Sequence, residues 1–316
     1  MRYRPFGRTG VQVSEVALGS LSFGPRGNPD RNACTAIIHR ALDAGINLVD
    51  TADIYSGGVA EEIVGQALKG RRTDVLIATK VHGRTGDGPN ERGSSRLHIL
   101  QAVEASLRRL QTDWIDLYQL HLPDPATPVD ETMRALDDLV RQGKVRYVGT
   151  SNFAGWQLAE ALWASDRLHT VPIVSEQPEY NLLARRVERE ILPACRAFGL
   201  AVLPWAPLRR GLLTGKYRAG DALPPGSRYA RQHEDARAEA WHRQVAVVEQ
   251  LRPLAQAADL TLGQFALLWV LRQDGVTSPV IGPRTMAHLE ENLTALDRIL
   301  PDELAARAGM LTAQFA

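Results

Sequence analysis

Cysteine is scarce in this chain: Cys34 and Cys195 are the only two among 316 residues. Two thiols cannot build a disulfide framework or a four-thiolate metal site, so reduced thiols in a cytoplasmic protein are expected. An excess of one charge is also missing. Lys plus Arg, 37, nearly balances Asp plus Glu, 36, for a formal net charge of +1. Such a chain has no long-range pull on nucleic acid or an anionic membrane, and neither is expected as a partner. An anionic ligand would have to be met by a local cluster of cations. No apolar run approaches membrane-spanning length. The first thirty residues are interrupted by proline, glycine and charge, unlike a signal peptide or transit helix. The eight histidines form no HxH or HExxH pattern, so no metal is expected. Linkers, internal repeats and low-complexity runs are absent too. With 44% hydrophobic residues, the chain reads as one domain over 1–316, a length that α/β barrels fill.

What is present is a series of short apolar runs separated by amphipathic helical stretches. VALG (16–19), INLVD (46–50), DVLIATK (74–80) and WIDLYQLH (114–121) form the first four. VRYVGTS (145–151), VPIVSEQ (171–177), LAVLPW (200–205) and TSPVIG (277–282) complete eight. Eight alternations of strand and helix, with strands of the kind buried on both faces, predict a (β/α)8 TIM barrel. Before them, Tyr3 to Phe6 and Val11 to Val13 flank GRTG, predicting an N-terminal β-hairpin that covers the barrel floor. Residues 206–240 are too long and polar for an ordinary connection and are expected to lie over the mouth, before two further helices at about 241–258 and 262–272.

Four titratable groups fall at successive strand ends, where barrel enzymes collect their chemistry. Asp50 closes the second run and Tyr55 follows on the next loop; Lys80 ends the third run and His121 the fourth. Singly, each has a bland reading as a cap, a packing ring, a surface charge or a structural histidine. Together they are a candidate catalytic constellation. A tyrosine, with a reference pKa of about 10, is a poor acid near neutrality and needs a neighbour that favours its phenolate. An ammonium at about 4 Å, with an effective dielectric near 20, offers about 4 kcal/mol, or roughly three pKa units. Asp50 would hold Lys80 charged and in place, and His121 would orient a substrate oxygen. A phenol donor without metal ligands suits carbonyl reduction by an external hydride source.

The chain resembles the aldo-keto reductase family. NLVDTADIYSGGVAEEIVGQALK carries the family's signature around Asp50 and Tyr55, and Asp50, Tyr55, Lys80 and His121 match its tetrad. GKVRYVGTSNF (143–153), SEQPEYNLL (175–183) and the region from PWAPLRRGLLTGKY to TMAHLEENL extend the likeness over residues 1 to about 297. The resemblance implies a nicotinamide cofactor, NADPH preferred with NADH as the alternative. By that resemblance Ser151, Asn152 and Gln177 would bond the carboxamide, and Trp205 would stack on the nicotinamide where relatives commonly have tyrosine. Gly19, Ser20, Asp50 and Ala206 would join them. Leu208, Arg209, Gly211, Leu213 and Lys216 would wrap the pyrophosphate. Around the adenosine 2′-phosphate and adenine the resemblance places Gly282, Arg284, Thr285, His288, Glu291 and Asn292. Gly282 and His288 depart from the Lys and Arg of many relatives, which leaves Arg284 as the main cation. The substrate pocket would comprise Leu21, Phe23, Tyr55, His82, His121, Leu122 and Phe153, with His82 and Leu122 replacing tryptophans of several relatives.

GLLTGKY is one residue short of a P-loop and has Tyr217 where Ser or Thr is required, and GRTGDGPNERG has the wrong spacing for a dinucleotide fingerprint. The leading expectation is an NADPH-dependent aldehyde or ketone reductase acting on a small carbonyl compound. The alternative is a nicotinamide-binding regulatory subunit of the potassium-channel β type. A metal-dependent barrel enzyme is a third, for which ligand motifs are lacking.

Overall fold

The eight apolar runs each deliver one parallel strand to a closed barrel. The computed structural model describes residues 1–218, 220–231 and 239–316, so part of the expected mouth segment, at 219 and 232–238, lies outside the described residues. The hairpin comes first, as β1 (Tyr3–Pro5) and β2 (Gln12–Ser14). The barrel strands are β3 (Ala17–Gly19), β4 (Leu48–Asp50), β5 (Leu76–Val81) and β6 (Ile115–Leu120), then β7 (Val145–Ser151), β8 (Ile173–Gln177), β9 (Ala201–Val202) and β10 (Val280–Ile281). They neighbour one another in the order β10-β3-β4-β5-β6-β7-β8-β9. Closure comes from Thr277 and Ser278 N–H groups donating to the Val202 carbonyl and from Val280 N–H donating to the Pro204 carbonyl. β9 and β10 are shorter than their apolar runs because Pro204 and Pro279 have no N–H to give a ladder.

Helices α1 (Arg31–Asp43), α2 (Val59–Ala67), α3 (Arg96–Leu110), α4 (Val129–Arg141), α5 (Gly155–Leu168) and α6 (Ile191–Phe198) connect successive strands. Asp30 accepts from the N–H groups of Asn32 and Ala33 at 2.9 and 3.1 Å and starts α1, a cap worth about 1 kcal/mol. After β9 come α7 (Arg228–Arg231), α8 (Glu239–Ala257) and α9 (Leu262–Leu271), the last two close to their expected ranges. Beyond β10, α10 (Met286–Ala295) and α11 (Asp302–Leu311) end the chain. The sequence reading did not anticipate α11, which buries Ala305 and Ala308. Among the described residues no single helix is long and apolar enough to cross a membrane.

Two apolar cores result. The larger one packs strands against the helix ring, with Leu18, Ile37, Ile63, Ile77, Val103 and Leu136 among its members. The smaller fills the barrel from below with Ala17, Leu48, Ala78, Leu117, Ala201 and Leu203, and is closed by hairpin residues Phe6 and Val13. The hairpin therefore does stopper the floor, leaving the opposite mouth for polar groups.

Candidate active site

Strand register brings the polar groups together. Asp50 pairs with Gly19 on one side and Ala78 on the other, while Lys80, two residues further along β5, pairs with Gln119. Gln177 ends β8 opposite Ser151. Lys80 Nζ donates to both Asp50 carboxylate oxygens at 2.8 and 2.7 Å, to the Thr51 carbonyl at 2.8 Å and to Tyr55 Oη at 3.3 Å. Gln177 Nε2 at 2.8 Å and Gln119 Nε2 at 3.3 Å also donate to Asp50 Oδ1. Asp50 is 3% exposed and Lys80 is fully buried. A buried ion pair is tolerated when its remaining hydrogen-bonding capacity is met, and these donors meet it.

Tyr55 opens a tight 3₁₀ turn over Tyr55–Gly58 in which Ser56, Gly57 and Gly58 all have positive φ. At Gly58 a Cβ would come within 2.7 Å of Arg109 Cδ, so the turn and the α3 arginine fit only because that side chain is absent. Ser56 Oγ donates to the Phe23 carbonyl at 2.7 Å and pins the turn. The Tyr55 and His121 rings then meet edge to face at 5.9 Å between centroids.

Electrostatics sorts these groups. Burial raises the Tyr55 pKa; Lys80 pulls it down and Asp50 pushes it up, and the net direction is upward. The lysine thus acts in the direction expected from the sequence, but burial and the carboxylate that neutralises it outweigh its effect. Full burial works against the Lys80 ammonium, yet Asp50 and Tyr55 outweigh it and the pKa is raised. Burial, then Lys80 and His82, push His121 down to about 3, so its imidazole is neutral at ordinary pH.

A second hydrogen-bonded string lies beside the tetrad. Ser151 Oγ donates to the Gln177 carbonyl at 2.8 Å, and Asn152 Nδ2 donates to Ser151 Oγ at 2.9 Å and to the His121 carbonyl at 3.0 Å. Trp205 Nε1 donates to Asn152 Oδ1 at 3.0 Å, which fixes an asparagine held at φ +61°. Ser151, Asn152, Gln177 and Trp205 are therefore brought together. Gly19 answers to packing: a Cβ there would strike Val280 Cγ1 at 2.7 Å across β3 and β10. Ser20 and Leu213 are fully buried, and Ser20 Oγ has no partner among the described residues.

From Ala206 onward the chain bends repeatedly through positive φ, at Ala206, Arg209, Arg210 and Gly211. The turns close on themselves, with the N–H groups of Arg209 and Gly211 donating to the Ala206 and Leu208 carbonyls at 2.8 and 2.9 Å. Leu208 lies between Ala206 and Arg209 in this bend and is half-buried. Arg209 is ion-paired with Glu179, and its Nε has no partner. The Lys216 ammonium lies beside Gly211. Across the cleft, Arg284 Nη1 donates to the Gly226 carbonyl at 2.8 Å. Thr285 caps α10 by accepting from His288 N–H at 3.3 Å. Partial desolvation, then the charges of Lys216 and Arg284, lower the His288 pKa, which puts three nitrogen bases near one helix N-terminus. Gly282 is exposed, Asn292 is buried, and Glu291 Oε1 accepts from the Thr261 hydroxyl at 2.8 Å.

At the substrate end, Leu21 and Leu122 are exposed and His82 is half-buried. His82 has φ +146°, and its Nδ1 lies 3.4 Å from Ser94 Oγ. Phe23 is fully buried in the larger core and presents no surface to a ligand, with its backbone carbonyl taken by Ser56 Oγ; Phe153 is buried to 7% exposure. The sequence reading missed Gln119, although its place two residues before His121 puts it on the inward face of β6. It also missed Asp53, Glu61 and Arg109 beneath the Tyr55 turn.

Fold and site together define an oxidoreductase barrel. A sequence model of the Aldo/keto reductase family matches residues 15–309, and the chain belongs to that family. It is 40% identical over 315 residues to "Uncharacterized oxidoreductase YrpG" of Bacillus subtilis (strain 168), covering 96% of this chain and 94% of that protein. It is also 38% identical over 306 residues to proteins of Arabidopsis thaliana and Oryza sativa subsp. japonica, each named "Probable voltage-gated potassium channel subunit beta". Those matches cover 95% of this chain and 92% of each relative.

Proposed function

We propose that this protein is an NADPH-dependent reductase that converts a small aldehyde or ketone to an alcohol, with Tyr55 delivering the proton. The observation that carries this reading is the Tyr55 Oη held 3.3 Å from the fully buried Lys80 ammonium, which is itself fixed by Asp50. In reduction the Tyr55 O–H bond breaks as its proton passes to the substrate oxygen, and Lys80 stabilises the phenolate left behind. Neutral His121, within ring contact of Tyr55, positions that oxygen by a hydrogen bond. Because His121 titrates at about 3, no histidine step from this residue is expected in activity between pH 5 and 8.

The residues present fit a nicotinamide dinucleotide. The partnerless Arg209 Nε and the Lys216 ammonium beside Gly211 suit a pyrophosphate, and the Ser151, Asn152 and Gln177 amides and hydroxyl suit a carboxamide. Trp205 offers a ring face. When bound, the reduced cofactor supplies the hydride for the carbonyl carbon. Arg284, with Lys216 and His288 nearby at the α10 N-terminus, supports NADPH over NADH, since a guanidinium and a helix N-terminus both favour a phosphate dianion. Two buried free cysteines accord with a reducing cytoplasm.

Parallel assays of NADPH and NADH oxidation with a reactive aromatic aldehyde test this reading, with Tyr55→Phe as the control. Turnover by the variant equal to the wild type would overturn the proton-donor assignment. The two relatives named as channel β subunits favour a second reading, a nucleotide-binding regulatory subunit. Tight nucleotide binding without Tyr55-dependent turnover on any aldehyde or ketone tried would select it.

A further inference from the structure

Beneath the tetrad lies a buried carboxyl that the reaction described so far does not use. Asp53 stands on the turn between Asp50 and Tyr55, is 3% exposed, and donates its backbone N–H to the Lys80 carbonyl at 3.3 Å. Neither of its carboxyl oxygens has a hydrogen-bond partner among the described residues. The Ile54 N–H lies near enough to act on the carboxyl electrostatically but outside hydrogen-bond geometry.

The surrounding charges are already matched without it. Lys80 is held by Asp50. On α2, fully buried Glu61 accepts from Thr79 Oγ1 at 2.6 Å and pairs with Arg109 Nε of α3 at 2.7 Å. On β6, the Tyr118 hydroxyl is fully buried and also partnerless. An ionised carboxylate with no partner is costly in such surroundings, so the group keeps its proton to higher pH than a solvated carboxyl does.

We propose that Asp53, a buried carboxyl with no hydrogen-bond partner on the turn that carries Tyr55, is a positioning residue for the reductase reaction through its change of charge with pH. Its charge is then felt by Tyr55 and Lys80 without contact with substrate. The proton it gains or loses is exchanged with solvent. Burial first, then the Glu61 charge, push its carboxyl up to about 7, with Arg109 and Lys80 opposing, and a charged Asp53 raises the Tyr55 pKa. As pH rises past neutrality, the added negative charge therefore helps the phenol keep its proton, extending the range in which Tyr55 can act as an acid.

This inference rests on Tyr55 as proton donor, so its test has arms with and without activity. In pH profiles of kcat/KM for carbonyl reduction, Asp53→Asn is expected to move the basic limb about half a unit to one unit towards acid, while Asp53→Glu restores it. A profile of Asp53→Asn that differs from wild type only in height would overturn the proposal.

The other arms need no turnover. The infrared carbonyl stretch that wild type has and Asp53→Asn lacks should disappear between pH 6 and 8, while a band from buried Glu176, whose carboxyl burial pushes up to about 8, remains in both. If Asp53→Asn does not fold, Glu61→Gln serves: it removes an anion that favours the proton, so the band should vanish at lower pH than in wild type. An unchanged midpoint, or no band beyond that of Glu176, would overturn the proposal. Stability gives a further sign check. The native state holds the extra proton between about pH 4 and 7, so this carboxyl's contribution to stability falls as pH rises through that window and is flat above it. Asp53→Asn should gain in Tm relative to wild type at pH 8 and lose that gain below pH 4. Infrared and stability results as expected, with no wild-type turnover, would defeat the reductase reading while leaving the protonation of Asp53 intact.

Discussion

The two sides of the barrel mouth are built on different physics. On the side of β4 to β6, Asp50, Lys80 and Gln119 stand on strands, are sealed from water, and are paired before any ligand arrives, at 2.7 to 3.3 Å. On the side of β9 and β10 the groups proposed for a dinucleotide hang from loops, on turns of positive φ and with exposed cations such as Lys216. A proton donor needs a fixed field, which burial and strand register provide. A large anionic ligand has to enter and leave, which suits contacts between side chain and backbone such as Arg284 on the Gly226 carbonyl.

Substitutions on the two sides should therefore fail in different ways. The largest effect is expected from Tyr55→Phe: reduction falls by about 100- to 10,000-fold, the usual worth of a positioned acid, while the nucleotide dissociation constant changes little. Steady-state kinetics and nucleotide titration together check it, and a large loss of nucleotide affinity would erase the proposed division.

Lys80→Met should come next, and in stability as well as activity. It strands the Asp50 carboxylate in the interior, at a cost of about 3 kcal/mol by denaturant unfolding. The remaining Gln119 and Gln177 donors keep that figure at the lower end. A deficit well below that figure would mean that the buried pair contributes little to the fold.

Arg284→Ala on the loop side should leave Tm nearly unchanged and weaken NADPH by about tenfold, with little effect on NADH. Equal losses for the two nucleotides would put the source of coenzyme preference elsewhere. The smallest effect is expected from Trp205→Phe. It keeps an aromatic face but leaves Asn152 Oδ1 without its indole donor, worth about 1 kcal/mol, so nucleotide binding should weaken about fivefold with kcat unchanged.

The same division governed what could be read from the sequence. The eight strands were legible because each is a short apolar run between helical periodicities, and Asp50, Lys80 and His121 because they end such runs. Gln177 was legible as a polar strand end, but its bond to Asp50 spans 127 positions and depends on barrel closure. Phe23 reads as a mouth residue by position, yet the turn carried by Ser56 draws it wholly into the core. The isolation of Asp53 was hidden altogether, because it depends on Arg109 being taken by Glu61. Loop contacts such as Arg284 to Gly226 follow from no periodicity.

The seam between β9 and β10 has a consequence for the life of the molecule in solution. Each of these strands has two residues, and a few N–H groups zip them shut. Parted, they would bare two ladder edges of the kind that recruit foreign strands. The Arg284 to Gly226 clasp joins the segment leaving β9 to the segment leaving β10, so it straddles that seam. Anything that braces the clasp also guards the protein against clumping, and storage life in solution would be governed at the mouth of the barrel.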